Sequence, residues 1–166
     1  MTTNKKCSVL VCCLVVPILQ FAIACSPSRR NILGEQWVIF PAERAKEMRI
    51  GSWLLSDDQT IDYWSPSKKD ILALEDDLPD FLETNTILFD SQKSSILDRL
   101  DGYHRQYVGF LLVGRKIIYA NYFCNDMGIH WETEYVFILD GGDCYFQFKY
   151  DVETGDSFDL RINGEA

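Results

Sequence analysis

The second half of the chain is built from extended runs of aromatic and β-branched residues with polar residues between them. The runs from Tyr107 onward are YVGFLLV, KIIYANYFC, TEYVFIL, CYFQFKYDV and SFDLRIN. Such runs predict β-strands, and the short glycine-containing links between them, Gly114-Arg115 and DGGD among them, are typical of hairpin turns. The pattern therefore predicts an antiparallel meander of about five strands.

The first half carries a helical period instead. Apolar residues recur every three or four positions in WSPSKKDILALEDDLPDFLE, at Ile71, Leu74, Leu78, Phe81 and Leu82. This spacing predicts an amphipathic helix with Ser65 as its N-cap and Pro66 in its first turn, and Pro79 is expected to kink or end it. A second helix is predicted in SQKSSILDRLDGYHRQY. The segment AERAKEMRI after Pro41 is interpreted as either a short helix or an irregular cover.

Helices first and strands afterwards are typical of an α+β fold. We expect N-terminal helices packed on one face of a curled antiparallel meander, an element order that resembles cystatin-like folds. The expected organisation is a signal peptide (residues 1–24), a tether (residues 25–36) and a single α+β domain (residues 37–166).

The first 24 residues have the three parts of a secretory signal. Lys5 and Lys6 form the positive start, an apolar run follows, and small residues close the segment. The apolar run from Cys7 to Leu19 is shorter than the roughly 20 residues of a membrane-spanning helix and is interrupted by Pro17. This layout predicts an exported protein.

The residues AIAC, which end at Cys25, resemble a bacterial lipobox, although leucine is more usual at the position of Ala22. The resemblance implies that Cys25 is acylated and anchors the mature chain through its lipid. Ser26 resembles the next residue of lipoproteins sorted to an outer membrane, so we expect a lipid-anchored protein of the bacterial cell envelope that faces the periplasm or the surface. A plain secreted protein and an uncleaved anchor are the alternatives.

Six cysteines are present, and three of them fall within the predicted signal. With Cys25 taken by lipid, Cys124 and Cys144 remain as a pair, and an even pair in an exported protein predicts a disulfide. In the predicted strands both cysteines share the core-facing side with aromatic neighbours. Closing a loop of about 20 residues would contribute roughly 3 kcal/mol. Two separate buried thiols are the alternative.

The whole chain carries 16 basic and 25 acidic residues. Removing Lys5 and Lys6 leaves 14 against 25, a net charge of −11. Such an acidic chain excludes nucleic acid as the expected partner, because a polyanion requires basic patches. Apart from the membrane, we expect a basic protein or a cell-wall component as the partner.

Motifs for catalysis, metals and cofactors are missing from the sequence, and we predict no catalytic residue, metal or cofactor. The alternative is an envelope hydrolase that uses carboxylates together with His130. It requires convergence in one cleft of at least two residues from a set of five: Asp126, His130, Glu132, Glu134 and Asp140. His130, Glu132 and Glu134 would share one side of a predicted strand, which is more simply explained as a solvated face. His104 is expected at a helix end.

Aromatic residues cluster before the main predicted helix, at Trp53, Tyr63 and Trp64. Most aromatic residues belong to cores or strand pairs. These three are nevertheless candidate binding residues, since they would line a groove for a peptide or glycan, and His130 is a further candidate binding residue.

Four strings in the second half are distinctive: YHRQYVG, IIYANYF, DGGDCYFQFKYD and INGEA. Together with the lipobox-type signal they resemble a set of small bacterial lipoproteins of unassigned activity. The resemblance covers roughly residues 64–166 and implies no catalytic residues. We therefore expect an envelope-anchored module that is not an enzyme and acts by binding, as an inhibitor or immunity-type protein does.

Overall fold

The computed structural model describes residues 36–51, 61–85 and 90–164. Its helices are α1 (Ala42–Glu47), α2 (Lys68–Thr84) and α3 (Asp90–Asp98), and its strands are β1 (Trp37–Ile39), β2 (Asp62–Trp64), β3 (His104–Leu112), β4 (Arg115–Phe123), β5 (Tyr145–Asp151) and β6 (Ser157–Ile162). The predicted signal peptide, Cys25 and Trp53 lie outside the described residues.

The six strands form one mixed sheet in the order β1-β3-β4-β5-β6, with β2 also paired to β3. Strands β3 to β6 form an antiparallel meander. Strand β1 runs parallel to the first half of β3, and β2 runs antiparallel to its second half. The two short strands therefore share the edge of β3 that β4 leaves open. The chain has an α+β fold.

The expected five-stranded meander is wrong in one element, because TEYVFIL is not a strand. Strand β4 pairs directly with β5, and residues 135–138 carry no regular structure. The DGGD link is no hairpin turn either, and Gly142–Cys144 forms a 3₁₀ turn. The first hairpin turn lies one residue earlier than predicted, at Val113 and Gly114. Both have the positive φ angles, 51° and 80°, that a type I′ turn requires.

Helix α2 begins two residues later than predicted. Its N-cap is Ser67, whose side chain accepts a hydrogen bond from the Asp70 N–H while the Asp70 side chain accepts one from the Ser67 N–H. The predicted cap, Ser65, instead accepts a hydrogen bond from the Ala42 N–H (3.0 Å) at the start of α1. Pro79 lies inside α2 and does not end it.

The short helix after Pro41 and the helix in SQKSSILD are confirmed as α1 and α3. The residues YHRQY do not continue α3, because His104 is the first residue of β3. Among the described residues, no helix has the length and apolar character that crossing a membrane requires.

Helices do not all pack on one face of the sheet. Helices α2 and α3 cover what we call the helix face, where Leu74, Leu78 and Ile96 pack against Tyr122 and the other inward residues of the meander. Helix α1 packs on the opposite face, the outer face, where its Ala45 joins a second apolar cluster. The rest of the outer face is covered by residues 129–140, which we call the roof segment.

Candidate functional site

The roof segment is tied at both ends by a disulfide bond. Cys124 and Cys144 are bonded, with their Cα atoms 5.1 Å apart, which confirms the predicted pairing. The expected core-facing placement is wrong. Cys124 lies exposed just after β4, and Cys144 packs at the edge of the outer-face cluster that contains Trp131 and Val136. The bond therefore closes a loop that holds the roof segment.

One buried glutamine holds the roof segment on the sheet. The Gln106 Nε2 group donates to the carbonyl oxygens of Trp131 and Glu134, each at 2.7 Å. Its Oε1 accepts from the Val136 N–H at 3.0 Å. The backbone of the roof segment is therefore hydrogen-bonded to a side chain of β3, whereas a paired strand would be hydrogen-bonded to backbone groups.

A buried asparagine on the next strand continues this attachment. Asn121 lies opposite Gln106 in the β3–β4 register. Its Nδ2 group donates to Gln106 Oε1 (3.2 Å) and to the Val136 carbonyl (2.9 Å). Asn121 is only 2% exposed. The two amides therefore fix the centre of the roof segment.

Two further amides fix its far end. Gln147 lies opposite Asn121 in the β4–β5 register, and its Nε2 group donates to Asn163 Oδ1 at 3.4 Å. Asn163 Nδ2 donates to the carbonyl oxygens of Ile138 (2.6 Å) and Asp140 (3.1 Å). A row of four amides thus crosses the outer face from β3 to the end of β6.

The roof segment leaves a cavity of about 260 Å³ between itself and β4, β5 and β6. Its lining includes Tyr119, Asn121, Tyr135, Phe137, Gln147 and Arg161. Burial raises the pKa of Tyr135 well above its usual value, and a hydrogen bond with Tyr119 raises it further, so this hydroxyl remains neutral. Phe137 (51% exposed) and Leu139 (76% exposed) place large apolar side chains at the mouth. The site is an aromatic cavity with an amide floor.

Three charged residues lie beside the cavity on β5 and β6. Asp159 accepts from Lys149 Nζ at 2.6 Å and from Arg161 Nε at 3.4 Å. Burial raises the pKa of Asp159, but the hydrogen bond from Lys149 and the charges of Lys149 and Arg161 outweigh this and lower it. Two cations against one carboxylate leave this rim positive in an otherwise acidic chain.

The residues of the predicted hydrolase site lie elsewhere. His130, Glu132, Glu134 and Asp140 are exposed, Asp126 is half-buried, and none of the five lines the cavity. Residues 130–134 form turns, so their side chains do not alternate as a strand's would. No group of three or more His, Cys, Asp or Glu residues in the described ranges is placed to hold a metal ion.

His104 has an aromatic environment at the start of β3. Its ring lies 4.6 Å from the Trp131 ring and 5.5 Å from the Phe123 ring, measured between centroids. This packing on the outer face replaces the expected position at a helix end.

Tyr63 and Trp64 do not lie on one surface. They are neighbours on β2, so their side chains point to opposite faces of the sheet. Tyr63 donates to the Ile50 carbonyl (2.9 Å) and packs edge-on against Phe110. Trp64 packs across Gly109, where an added Cβ would lie 2.8 Å from the indole Nε1. Both rings serve packing, and together they line no groove.

A second polar cluster lies under α2 on the helix face. Glu75 Oε1 accepts hydrogen bonds from the hydroxyl groups of Tyr107 and Tyr122, and Glu75 Oε2 lies 3.5 Å from Arg105 Nε. Burial raises the pKa of both tyrosines well above the usual value, so both hydroxyls remain donors. Glu75 is 3% exposed and Arg105 1%. Because the cluster is closed to solvent, no substrate reaches it.

The sequence did not single out the residues that build the cavity. Gln106, Asn121 and Gln147 lie on three strands, and each is followed in the sequence by a buried aromatic residue. A polar amide within an aromatic strand is a signal that can be recognised, because buried polar groups require partners. Which partners they find depends on strand register.

Comparison with family models, with curated proteins and with solved structures found no match for the chain.

Proposed function

We propose that this protein is a lipoprotein of the bacterial cell envelope, anchored through Cys25, which acts by binding and not by catalysis. The described residues form a module that presents the cavity under the roof segment as its binding site. The order of helices before an antiparallel meander, which resembles cystatin-like folds, belongs to the same proposal. A cell-wall component is the partner class that the cavity favours.

The observation that carries this proposal is the construction of the cavity. Ligand sites are concave, largely apolar and furnished with a few placed polar groups. Here aromatic rings form the walls, and the amides of Asn121 and Gln147 form the floor. Exposed apolar residues at the mouth, Phe137 and Leu139, are typical of surfaces that meet a partner.

The hydrolase alternative receives no support from this geometry. General acid–base catalysis needs titratable groups within hydrogen-bond reach of one bound substrate. The cavity carries amides, aromatic rings and a guanidinium, whereas His130 and its neighbouring carboxylates point into solvent on the turns of the roof segment.

A second candidate partner is a basic protein that docks on α2. Asp76, Asp80 and Glu83 are exposed along one side of this helix, and its last turn contains no basic residue. Acidic residues near a helix C-terminus are locally unfavourable, so their presence favours an external cationic partner. This is the inhibitor or immunity-type form of the proposal.

Site-specific cross-linking in intact bacteria tests where the partner binds. A photo-crosslinking residue replaces Phe137 at the cavity mouth or, as a matched control, Leu72 on the exposed side of α2. The two side chains are 51% and 47% exposed. Adducts from Phe137 alone are expected. Adducts from Leu72 alone would favour a basic protein on α2 as the partner. The absence of adducts from both positions would contradict the binding function.

Lipid attachment is tested in the same strains by incorporation of labelled palmitate. The wild-type chain and a Ser26→Ala control are expected to incorporate the label and to sediment with membranes. Cys25→Ala is expected to do neither, because an acyl anchor contributes about 0.8 kcal/mol for each buried CH₂ group. A Cys25→Ala chain that stays fully in the membrane would contradict the anchor.

A further inference from the structure

The end of the chain carries a dipeptide that the proposed function does not use. In RINGEA, Asn163 is followed by Gly164, whereas every other asparagine in the sequence precedes a residue with a side chain. Glycine has no Cβ, so it leaves the asparagine side chain unobstructed beside the following backbone nitrogen. An Asn-Gly pair is therefore the dipeptide in which an asparagine amide is most readily attacked by its own backbone.

The reaction needs only water as a co-reactant. The backbone nitrogen of Gly164 attacks Cγ of Asn163 and forms a C–N bond, while the bond from Cγ to Nδ2 breaks. The proton of the Gly164 N–H leaves with the amide nitrogen as ammonia, and water then opens the resulting succinimide ring to aspartate or isoaspartate. Because the two reacting groups belong to neighbouring residues, the first step is intramolecular. The loss of ammonia makes the change irreversible.

The structure leaves room for this ring closure. Asn163 follows Ile162, the last residue of β6, and is half-buried. Gly164 is exposed, and apart from its chain neighbours no atom of the described residues lies within 4 Å of the position that a Cβ would take. Gly164 is held by Gly142, whose N–H donates to its carbonyl oxygen at 3.0 Å, and by an isolated bridge to Asp140. The reacting pair therefore lies beyond the end of β6 and in contact with water.

One hydrogen bond favours the attack. Negative charge develops on Asn163 Oδ1 as Cγ is attacked, and Gln147 Nε2 donates to this oxygen at 3.4 Å. A donor aimed at the oxygen on which charge develops stabilises the transition state. Arg161 lies opposite Gln147 in the β5–β6 register, so its positive charge lies on the same face of the sheet. The surroundings of Asn163 therefore favour both the attack and the carboxylate that results from it.

The modification removes the contacts that fix the far end of the roof segment. Asn163 Nδ2 donates to the carbonyl oxygens of Ile138 at 2.6 Å and of Asp140 at 3.1 Å. A carboxylate in its place has no N–H to donate, and its charge repels both carbonyl oxygens. Acceptors that face each other without a donor are unfavourable, so the two chain segments separate.

We propose that Asn163 is a site of spontaneous deamidation, and that its conversion to aspartate or isoaspartate releases the far end of the roof segment. Asn163 and Ile138 both line the cavity, so the cavity opens at this end. Gln106 and Asn121 continue to hold the centre of the roof segment through Val136. The inference goes beyond the proposed function and does not depend on what the cavity binds.

Ageing of the purified full chain in detergent micelles tests the chemistry. During incubation at mildly alkaline pH the wild type is expected to exchange one amide for an acid, which intact mass detects and peptide mapping assigns to Asn163. Gly164→Ala is the matched control, since an added Cβ has space there, and it is expected to react at least about tenfold more slowly. The pair Asp140-Gly141 isomerises without a change of mass, so the mass reports Asn163. An unreacted wild type, or equal rates in both chains, would overturn the inference.

Hydrogen exchange on fresh and aged wild type tests the consequence. Gly142 N–H is expected to exchange faster in the aged protein, because its acceptor belongs to the residue after the modified one. Val136 N–H, held by Gln106 Oε1 at 3.0 Å, is expected to remain protected. Asn163→Asp introduces one of the two products directly and is expected to reproduce the faster exchange. Equal exchange at Gly142 before and after ageing would overturn the release of the roof segment.

Discussion

The two faces of the sheet bury their polar groups differently. On the helix face, Glu75 receives two tyrosine hydroxyl groups and lies beside a guanidinium, all beneath two helices. On the outer face, a row of amides supports an irregular segment. The helix face is closed, whereas the outer face contains a cavity.

This difference distinguishes buried polar groups that stabilise the fold from polar groups that line a possible binding site. The helix-face network lies buried beneath two helices and offers nothing to a ligand, although Arg105 Nε has no hydrogen-bond partner and meets Glu75 only as an ion pair. On the outer face, the amides of Asn121 and Gln147 line the cavity. The outer face is therefore where binding is expected, and the helix face is where stability is expected to depend on single residues.

The largest expected effect is on the helix face. Glu75→Ala leaves Arg105 without its buried counter-charge and removes the acceptor of two tyrosine hydroxyl groups. Removing one partner of a buried ion pair typically costs about 3–5 kcal/mol, and we expect a loss of that size in the free energy of unfolding. Urea denaturation followed by circular dichroism measures it.

Two control variants test whether the loss of stability comes from the buried carboxylate of Glu75. Glu75→Gln retains an acceptor oxygen for the tyrosines and is expected to be less damaging than Glu75→Ala. Asp76→Ala alters the exposed neighbour on α2 and is expected to change stability by no more than about 0.5 kcal/mol. Equal stability of Glu75→Ala and Asp76→Ala would show that the hydrogen bonds and the ion pair of Glu75 do not stabilise the fold.

On the outer face the largest single contribution is expected from the disulfide. Replacing both Cys124 and Cys144 by serine frees a loop with a sequence separation of 20 residues. The loop-entropy model assigns about 3 kcal/mol to such a closure. We expect this loss together with faster amide hydrogen exchange at Val136 N–H, while the exchange of the β3–β4 amides under α2 follows global unfolding only.

Reduction of the wild-type protein provides an independent measurement of the same effect. A reduced chain is expected to match the double serine variant in its urea midpoint. If full reduction left both the midpoint and the exchange at Val136 unchanged, the amides alone would hold the roof segment.

The sequence predicted the elements whose signals are local. Helix α2 follows from the spacing of Ile71, Leu74 and Leu78, and the hairpin of β3 and β4 follows from two long aromatic runs joined at Gly114. Strands β1 and β2 have three residues each, too few for any period to appear. The disulfide was predicted from export and cysteine number, and its placement failed because the strand beside it was extended too far.

The roof segment could not be predicted for a physical reason. TEYVFIL has the alternation of a strand, and the structure does bury Val136 and leave Phe137 exposed. Whether such a run pairs through its backbone or is held by side chains depends on Gln106, which is 30 positions before Val136. Glu75 has a clearer local signal, since it falls within the apolar stripe of α2 between Ile71 and Leu78.

The smallest of the stability effects concerns the residue that joins the two faces. Tyr103 is buried among the helix-face aromatics and donates its hydroxyl to the Asp143 carbonyl (2.6 Å), at the end of the loop that carries the roof segment. Burial raises its pKa to about 12, from 10.0. A raised pKa stabilises the fold fully below pH 10, and this contribution is lost as the pH rises from 10 towards 12, because the unfolded chain releases its proton first. At pH 11 the loss for one tyrosine is about 1 kcal/mol.

Wild type is therefore expected to lose stability between pH 9 and pH 11 more steeply than Tyr103→Phe, by about that amount, in urea titrations at each pH. Equal slopes would mean that Tyr103 ionises as easily in the folded protein as in the unfolded chain, and that the link between the faces is open to water.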